Sequence, residues 1–255
     1  MNYSLILLCA GSGKRTGLKY NKIFYKINNQ TVYEMNISHF LEDNRCKQII
    51  VVTKENEIDD IRTLVNDSRI EYVFGGKERQ DSVYEGLQKV KENHVFIHDG
   101  ARPFVDESII ERTYQAVKEY RACVAGMPSK DTIKVVDEEN YAIRTPERKT
   151  LWQVQTPQCF EFDLVKKAYE KMMENDDGKV TDDAMVVETY GNVPVKLFEG
   201  GYDNIKVTTP EDVRLATNLV RVRKVFHKLH VLHDKLIYLQ MKAYKKRFRE
   251  KKQKK

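Results

Sequence analysis

The stretch Leu5-Ile-Leu-Leu-Cys-Ala10-Gly-Ser-Gly-Lys-Arg15 places a short apolar run directly before a loop of small and basic residues. Such a run suits a strand that is buried on both faces of a parallel sheet. Five β-prone runs of this kind alternate with four stretches of helical length, which predicts an α/β fold with a mostly parallel, doubly wound, Rossmann-like sheet. The predicted strands are Leu5–Ala10, Gln48–Thr53, Ile70–Phe74, His94–His98 and Ala122–Met127, and the predicted helices lie near 32–43, 55–66, 79–91 and 106–120.

The alternation stops between Thr132 and Gln155, where polar and β-prone residues follow one another without a helical period. We therefore expect an arm that projects from the sheet. Helical patterns resume over 161–173 and 181–190, and a further strand is predicted over Pro194–Phe198. Another helix is expected to begin with Thr209 as N-cap and Pro210 as its first residue.

The C-terminal part of the chain contains no Gly or Pro after Glu211, and from Val222 to Ala243 apolar residues recur at alternating spacings of three and four. This pattern predicts a long helical extension. Residues 221–255 contain 14 Lys and Arg against two acids, a net of 14 − 2 = +12, which leaves 6 − 12 = −6 for residues 1–220. The sequence thus predicts two parts, a domain over 1–220 with its arm at about 132–155, and a basic extension over 221–255.

The composition excludes several classes of protein. With 255 residues, 41% hydrophobic, 12 Gly and 6 Pro, the chain is neither collagen-like nor of low complexity. We expect a cytoplasmic protein, because no apolar stretch is long enough to span a bilayer. The four cysteines form no C-x-x-C pair, so buried thiols are expected rather than a zinc site. Because the domain itself is acidic, we expect no nucleic-acid partner for it.

Ligands of open α/β sheets bind at the carboxyl ends of the strands. After the first strand, Gly11 and Gly13 would let the backbone approach a phosphate chain, and Arg15 and Lys22 could neutralise its charge. The loop matches neither the Walker A spacing nor G-x-G-x-x-G. By itself it is equally well interpreted as a flexible β–α turn with solvated cations.

Two further loops strengthen the interpretation. Gly75-Gly76-Lys-Glu-Arg-Gln-Asp-Ser82 follows the third strand, and His98-Asp99-Gly-Ala-Arg102 follows the fourth. An acidic residue at a strand end can hold Mg²⁺, and an arginine can bind phosphate with two parallel hydrogen bonds. Three loops suited to a polyanion at one sheet edge predict a phosphate site there.

Eight motifs in matching order and spacing resemble the 2-C-methyl-D-erythritol 4-phosphate cytidylyltransferase family, over residues 4 to about 218. They are Ala10-Gly-x-Gly-x-Arg15 with Lys22, Gly75-Gly-x-Glu-Arg-x-Asp-Ser82, His98-Asp-x-Ala-Arg-Pro103, Lys130-Asp-Thr-Ile-Lys134, Arg148-x-x-Leu-Trp152, Gln155-Thr-Pro-Gln158, Thr181-Asp-Asp-Ala184 and Asn204-Ile-Lys-Val-Thr208.

The resemblance implies a nucleotide-binding fold that transfers a cytidylyl group from CTP to 2-C-methyl-D-erythritol 4-phosphate, in non-mevalonate isoprenoid biosynthesis. The products are 4-diphosphocytidyl-2-C-methyl-D-erythritol and pyrophosphate. It further implies Mg²⁺ as cofactor and a homodimer in which each arm reaches the partner's site.

The resemblance also assigns roles to individual residues. Catalysis falls to Arg15, Lys22 and Lys206, and Asp99 would place the metal ion. The nucleotide would contact Cys9, Ala10, Gly11, Gly13, Gly76, Ser82, Asp99 and Ala101. The acceptor would contact Arg102, Thr132, Arg148, Thr156 and Thr181, with Thr132 and Arg148 supplied by the partner subunit.

Two alternatives stay open. A ribitol 5-phosphate cytidylyltransferase would share the CTP site and most of its cations. A non-catalytic protein that binds nucleic acid or a membrane surface through the basic extension is the other, although the intact Arg15, Lys22, Asp99 and Lys206 argue against it. The sequence identifies no partner for the extension. We expect the extension to pair with another helix, either antiparallel or within the same chain, and its lysine-rich end to be solvated. A parallel coiled coil is less favoured, because two neighbouring extensions with a net charge of +12 each would repel each other.

Overall fold

The structure, a computed structural model, describes residues 1–11, 13–175 and 180–226. Its centre is a seven-stranded sheet, whose strands in chain order are β1 (Tyr3–Leu8), β4 (Cys46–Thr53), β5 (Ile70–Phe74), β6 (His94–Asp99), β7 (Ala122–Pro128), β10 (Trp152–Glu161) and β11 (Lys196–Glu199). Across the sheet their order is β11-β7-β10-β6-β1-β4-β5. Two small antiparallel pairs complete the strands, β2 (Lys26–Ile27) with β3 (Gln30–Thr31) and β8 (Val135–Val136) with β9 (Ala142–Arg144).

Six strands of the central sheet run in one direction, and β10 is antiparallel to both of its neighbours, β6 and β7. The mostly parallel α/β fold predicted from the sequence is therefore confirmed. The strand β10 was not predicted. Its buried part contains the polar residues Gln155, Thr156 and Gln158, which conceal the apolar pattern expected of a central strand. They can be buried because each has a hydrogen-bond partner outside β10.

The helices cover both faces of the sheet. They are α1 (Val32–Glu42), α2 (Ile58–Arg62), α3 (Arg79–Leu87), α4 (Glu107–Glu119), α5 (Phe162–Asn175), α6 (Asp183–Val186), which continues as a π-helical turn over Val187–Gly191, and α7, which is helical from 210 and is described as far as 226. The predicted helices at 55–66 and 79–91 are too long. The first consists of a 3₁₀ turn, Glu55–Glu57, followed by α2, and the second ends at Leu87.

The core lies on both faces of the sheet, because alternate residues of β1 enter opposite layers. Leu5 and Leu7 pack with α1 and α4 on one side, and Ile6 packs with α3 and α5 on the other. All four cysteines are buried free thiols, as predicted.

The predicted arm begins as expected but ends earlier. The β8–β9 hairpin carries exposed Val136, Tyr141 and Ile143. From Trp152 onward the chain already pairs with β7 and belongs to the central sheet.

The helix α7 crosses the predicted boundary at residue 220 without interruption. Thr209 caps it, since its hydroxyl accepts a hydrogen bond from the backbone N–H of Asp212 at 3.3 Å. Ala216 is buried against the domain, whereas Val222 and Val225 are exposed. The seam beyond 226 lies outside the described residues, so the paired extension stays a prediction. None of the helices within the described ranges combines the length and the apolar character that crossing a bilayer requires.

Candidate active site

A cleft of about 580 Å³ opens at the carboxyl ends of β1, β4, β5 and β6. The structure brings ten of the predicted site residues to it, although their roles stay predictions. These are Ala10, Gly11, Gly13, Arg15, Lys22, Gly76, Ser82, Asp99, Ala101 and Lys206. The three loops singled out by sequence thus line one cavity.

The first loop is folded tightly against the segment that carries Lys22. Gly13 adopts a φ of +66°, and a Cβ at this position would lie 3.3 Å from the backbone nitrogen of Lys22. The side-chain amide of Asn21 donates hydrogen bonds to the carbonyl of Cys9 and to Glu57, both at 2.7 Å. The Oδ1 of Asn21 accepts a hydrogen bond from the N–H of Ile23 and thereby caps the 3₁₀ turn Lys22–Phe24. These contacts fix Lys22 beside the loop.

The charge of Lys22 is only partly compensated within the cleft. Burial lowers the pKa of Lys22 to about 8, and the positive charge of Lys206 adds to the effect, while Asp99 opposes it. Lys22 is thus mostly protonated at pH 7 and lacks a complete counter-charge. An anion that entered the cleft would supply it.

The second loop packs tightly at Gly76. A Cβ on Gly76 would lie 2.3 Å from the Cβ of Asp81, so a larger residue would force the loop open. The loop leads into α3 through a reciprocal cap between Glu78 and Asp81. This arrangement places Ser82 on the first turn of α3, where its hydroxyl donates to the carbonyl of Glu78 at 3.1 Å.

Asp99, at the end of β6, lies among three cations. Its carboxylate is 2.8 Å from Lys206 Nζ, 3.5 Å from Arg79 Nε and 3.6 Å from Arg102 Nε. Burial would raise the pKa of Asp99, but the charges of Arg79, Lys206 and Arg102 outweigh burial and hold the pKa well below its ordinary value. Asp99 is therefore ionised at any physiological pH.

Arg79 is a cleft residue to which the sequence analysis gave no role. Its two terminal nitrogens bind the fully buried carboxylate of Asp183, each at 2.8 Å, and the hydroxyl of Tyr169 donates to the same carboxylate at 2.5 Å. Arg79 and Asp183 are 104 residues apart, so no local pattern relates them. Lys54 and Lys77 also line the cleft without having been predicted.

Three predicted residues lie beneath or beside the cleft rather than in its lining. Cys9 is 1% exposed, and burial raises the pKa of its thiol, so it would reach a nucleotide through its backbone. Arg102 donates to the carbonyl of Asn204 at 2.8 Å. Thr156 is 3% exposed and accepts a hydrogen bond from the N–H of Asp99 at 3.0 Å.

The remaining predicted acceptor residues are exposed and do not line the cleft of the same chain. They are Thr132 and Arg148 on the arm, and Thr181 before α6. Arg148 donates to the carbonyl of Lys130 at 3.3 Å. Thr181 directly precedes Asp182, which caps α6 by accepting a hydrogen bond from the N–H of Met185.

The donor set suits a metal ion that is shared with a substrate. The described residues contain no group of three or more His, Cys, Asp or Glu placed to hold an ion by themselves. Mg²⁺ in nucleotide sites commonly uses one or two carboxylates together with substrate phosphates. An ionised Asp99 at the cleft edge, 2.8 Å from Lys206 Nζ, fits this requirement.

A doubly wound sheet whose strand ends open into a cation-lined cleft is the architecture of the α/β nucleotide-binding proteins. A family model described as IspD, 2-C-methyl-D-erythritol 4-phosphate cytidylyltransferase, matches residues 3–222. The chain belongs to this family.

Curated relatives and solved structures agree with the match. A protein named 2-C-methyl-D-erythritol 4-phosphate cytidylyltransferase from Lachnospira eligens is 47% identical, and the match covers 83% of this chain and 96% of the relative. A protein of the same name from Clostridioides difficile is 42% identical, and the match covers 87% of this chain and 95% of the relative. A 4-diphosphocytidyl-2C-methyl-D-erythritol synthase from Anaerococcus prevotii superposes with a TM-score of 0.77 at 32% identity, covering 86% of this chain and 98% of its own. The 2-C-methyl-D-erythritol 4-phosphate cytidylyltransferase from Thermus thermophilus superposes with a TM-score of 0.71 at 28% identity, covering 87% of this chain and 100% of its own.

Proposed function

We propose that the protein transfers the cytidylyl group of CTP to 2-C-methyl-D-erythritol 4-phosphate in non-mevalonate isoprenoid biosynthesis. The observation that carries the proposal is the convergence of Arg15, Lys22 and Lys206 on one cleft with Asp99. A reaction between two polyanions needs such a set of cations, since negative charge accumulates where the phosphates meet.

In the proposed step, an oxygen of the acceptor phosphate attacks the α-phosphorus of CTP. A new P–O bond forms as the bond to the β-phosphate breaks, and pyrophosphate leaves with the electron pair. Arg15, Lys22 and Lys206 stabilise the charge on the transferring group, and Lys22 also binds the leaving pyrophosphate. No proton has to be removed, because the attacking phosphate oxygen is already anionic.

The loops around Ala10 and Gly76 would bind the nucleoside, through backbone groups that only small residues leave accessible. Asp99 would hold Mg²⁺ together with the triphosphate. When bound, the ion neutralises phosphate charge and orients the leaving group. Lys206 would then exchange its partner Asp99 for a phosphate oxygen.

Arm exchange in a homodimer would complete the acceptor pocket. Thr132 and Arg148 do not line the cleft of their own chain, and the arm exposes Ile133, Tyr141 and Ile143 to solvent. Apolar side chains on a projecting hairpin favour an intersubunit contact. The proposed dimer places the partner's Arg148 against the acceptor phosphate.

Pyrophosphate release tests the acceptor directly. We expect turnover with CTP and 2-C-methyl-D-erythritol 4-phosphate, and little with CTP and ribitol 5-phosphate at the same concentration. A preference for ribitol 5-phosphate would reassign the acceptor but keep the chemistry. A folded protein that binds CTP and releases no pyrophosphate with either acceptor would refute the function.

A further inference from the structure

The segment that carries Lys206 depends on side-chain contacts for its position. The described residues 200–208, which connect β11 to α7, form neither a helix nor a strand. Their backbone groups therefore need partners other than a regular ladder. Lys206 Nζ nevertheless lies 2.8 Å from the carboxylate of Asp99. Whatever holds this segment decides where the charge of Lys206 lies.

One buried side chain of β10 holds the beginning of the segment. Gln155 is 8% exposed, and its Nε2 donates to the carbonyl of Gly201 at 2.8 Å. Its Oε1 accepts from the N–H of Gly201 at 3.2 Å and from Asn204 Nδ2 at 3.3 Å. Both polar atoms of the amide thus bind the segment, at points five and two residues before Lys206.

Gly200 shows how closely the amide of Gln155 approaches the backbone. A Cβ at this position would lie 2.4 Å from Gln155 Oε1, a distance at which one of the two groups would have to move. Any larger residue at 200 would therefore displace the amide from the N–H and the carbonyl of Gly201. The glycine and the glutamine are matched to each other.

Further contacts hold the backbone on both sides of Lys206. Two residues before it, the carbonyl of Asn204 accepts a hydrogen bond from Arg102 at 2.8 Å. One residue after it, the N–H of Val207 donates to the carbonyl of Ala101 at 2.8 Å. Because the chain is held at both points, the backbone of Lys206 has little freedom to move. Loss of the contacts at Gly201 and Asn204 would release one side of it.

We infer that Gln155 is a positioning residue, which holds the backbone of residues 200–204 and thereby places Lys206 opposite Asp99. Gln155 does not belong to the lining of the cleft, so its effect passes through Lys206. The inference rests on the proposed function, because its consequence is measured as cytidylyl transfer.

The central test is Gln155→Met, which keeps the length and the unbranched shape of the side chain and removes all three hydrogen bonds. Displacement of reacting groups by about 1 Å can cost about 10²-fold in rate, so we expect kcat to fall about 10- to 50-fold. The KM for CTP should change less than about 3-fold, because the loops at Ala10 and Gly76 follow other strands. A folded variant whose kcat stays within about 2-fold of the wild type would refute the role.

Gln48→Met is the matched control for a general loss of stability. Gln48, at the start of β4, is 3% exposed, donates to the carbonyl of Lys89 at 2.7 Å and accepts from the N–H of Lys91 at 3.0 Å. It makes the same kinds of contact with the backbone as Gln155, at the end of the sheet opposite the cleft. The control should lower the melting temperature comparably and leave kcat within about 2-fold. If it reduced kcat as much as Gln155→Met does, positioning would be refuted.

A double variant tests whether Gln155 acts through Lys206. Lys206→Met alone should lower kcat, because it removes the charge that is being placed. Adding Gln155→Met to it should reduce kcat by less than a further 3-fold or so, since the two changes affect one interaction. Losses that multiply would overturn the action through Lys206.

Gly200→Ala disturbs the same contact from the other side and replaces Gln155→Met if methionine prevents folding. It should lower kcat with little change in the KM for CTP, and a folded Gly200→Ala protein with wild-type kcat would count against the role. A wild-type protein without turnover refutes the proposed function. An active wild type with an equally active Gln155→Met variant refutes only the positioning role.

Discussion

Replacing Lys22 by methionine should stabilise the ligand-free protein while it removes activity. The pKa of Lys22 falls from its ordinary value of 10.5 to about 8, a difference equivalent to about 3.4 kcal/mol at ~1.4 kcal/mol per pKa unit. Because the side chain is only partly buried, solvent screening reduces the penalty to about 1–2 kcal/mol. Methionine keeps the apolar stem and removes the charge. In a domain of this size we expect a rise in melting temperature of about 2–8 °C.

The pH dependence identifies the cause of the stabilisation. Between about pH 8 and 10.5 the unfolded wild-type chain keeps the proton of Lys22 while the folded chain has lost it, so wild-type stability rises with pH over this window. The advantage of Lys22→Met should be complete below pH 8 and fade toward pH 10.5, as followed by thermal denaturation without CTP.

The activity and the control complete this test. In the pyrophosphate assay, kcat of Lys22→Met should fall about 10²-fold or more, as expected for a lost electrostatic donor. Lys54→Met is the control, since Lys54 also lines the cleft but is ion-paired with Glu57 at 3.0 Å, and it should not raise the melting temperature. A Lys22→Met protein that is less stable at pH 7, or whose advantage is constant with pH, would refute the reasoning.

Three other outcomes are expected. Mixing Arg148→Ala with Lys22→Ala subunits should restore part of the activity, because a hybrid dimer rebuilds one complete site; confirmed hybrids without activity would contradict arm exchange. Asp183→Asn should lower the free energy of unfolding in urea by about 2–3 kcal/mol, because it removes the fully buried carboxylate that the half-buried Arg79 binds. Adding Arg79→Gln to that variant should recover most of the loss. If the single and the double variant were equally stable, the pair would be unimportant. Removing residues 227–255 should leave kcat within about 2-fold of the full chain, and loss of all activity in a folded dimer would assign the extension to the site.

The parallel part of the fold could be predicted because its signals are local. Each of the strands β1, β4, β5 and β6 is a short β-prone run before a loop, rich in Val, Ile and Leu in β1 and β4 and mixed with aromatic residues in β5 and β6, and buried parallel strands favour such residues. The cleft residues of the three loops followed from the rule that strand ends converge. What sequence could not reveal is which side chains meet after folding, as Arg79 and Asp183 do.

The antiparallel strand β10 was missed for a physical reason. Its polar residues are satisfied by partners far away in sequence, such as the N–H of Asp99 for Thr156 and the carbonyl of Gly201 for Gln155. Burial of a polar side chain depends on those partners, and a single sequence does not display them. For the same reason Thr156 was assigned to the acceptor through its motif, and its bond to Asp99 could not be foreseen.

The continuity of β10 sets a rule for how proteins of this architecture can change in length. Trp152 pairs with Pro128 where the arm leaves the sheet, and four residues later Thr156 meets the turn at Asp99. Between Val154 and Gln158 the strand leaves the regular ladder with β7, so an inserted or deleted residue in this step would displace Thr156 from the turn at Asp99. The length of the hairpin between 129 and 151 can therefore vary without moving this contact, whereas the four-residue step that joins it to the turn at Asp99 must keep its length.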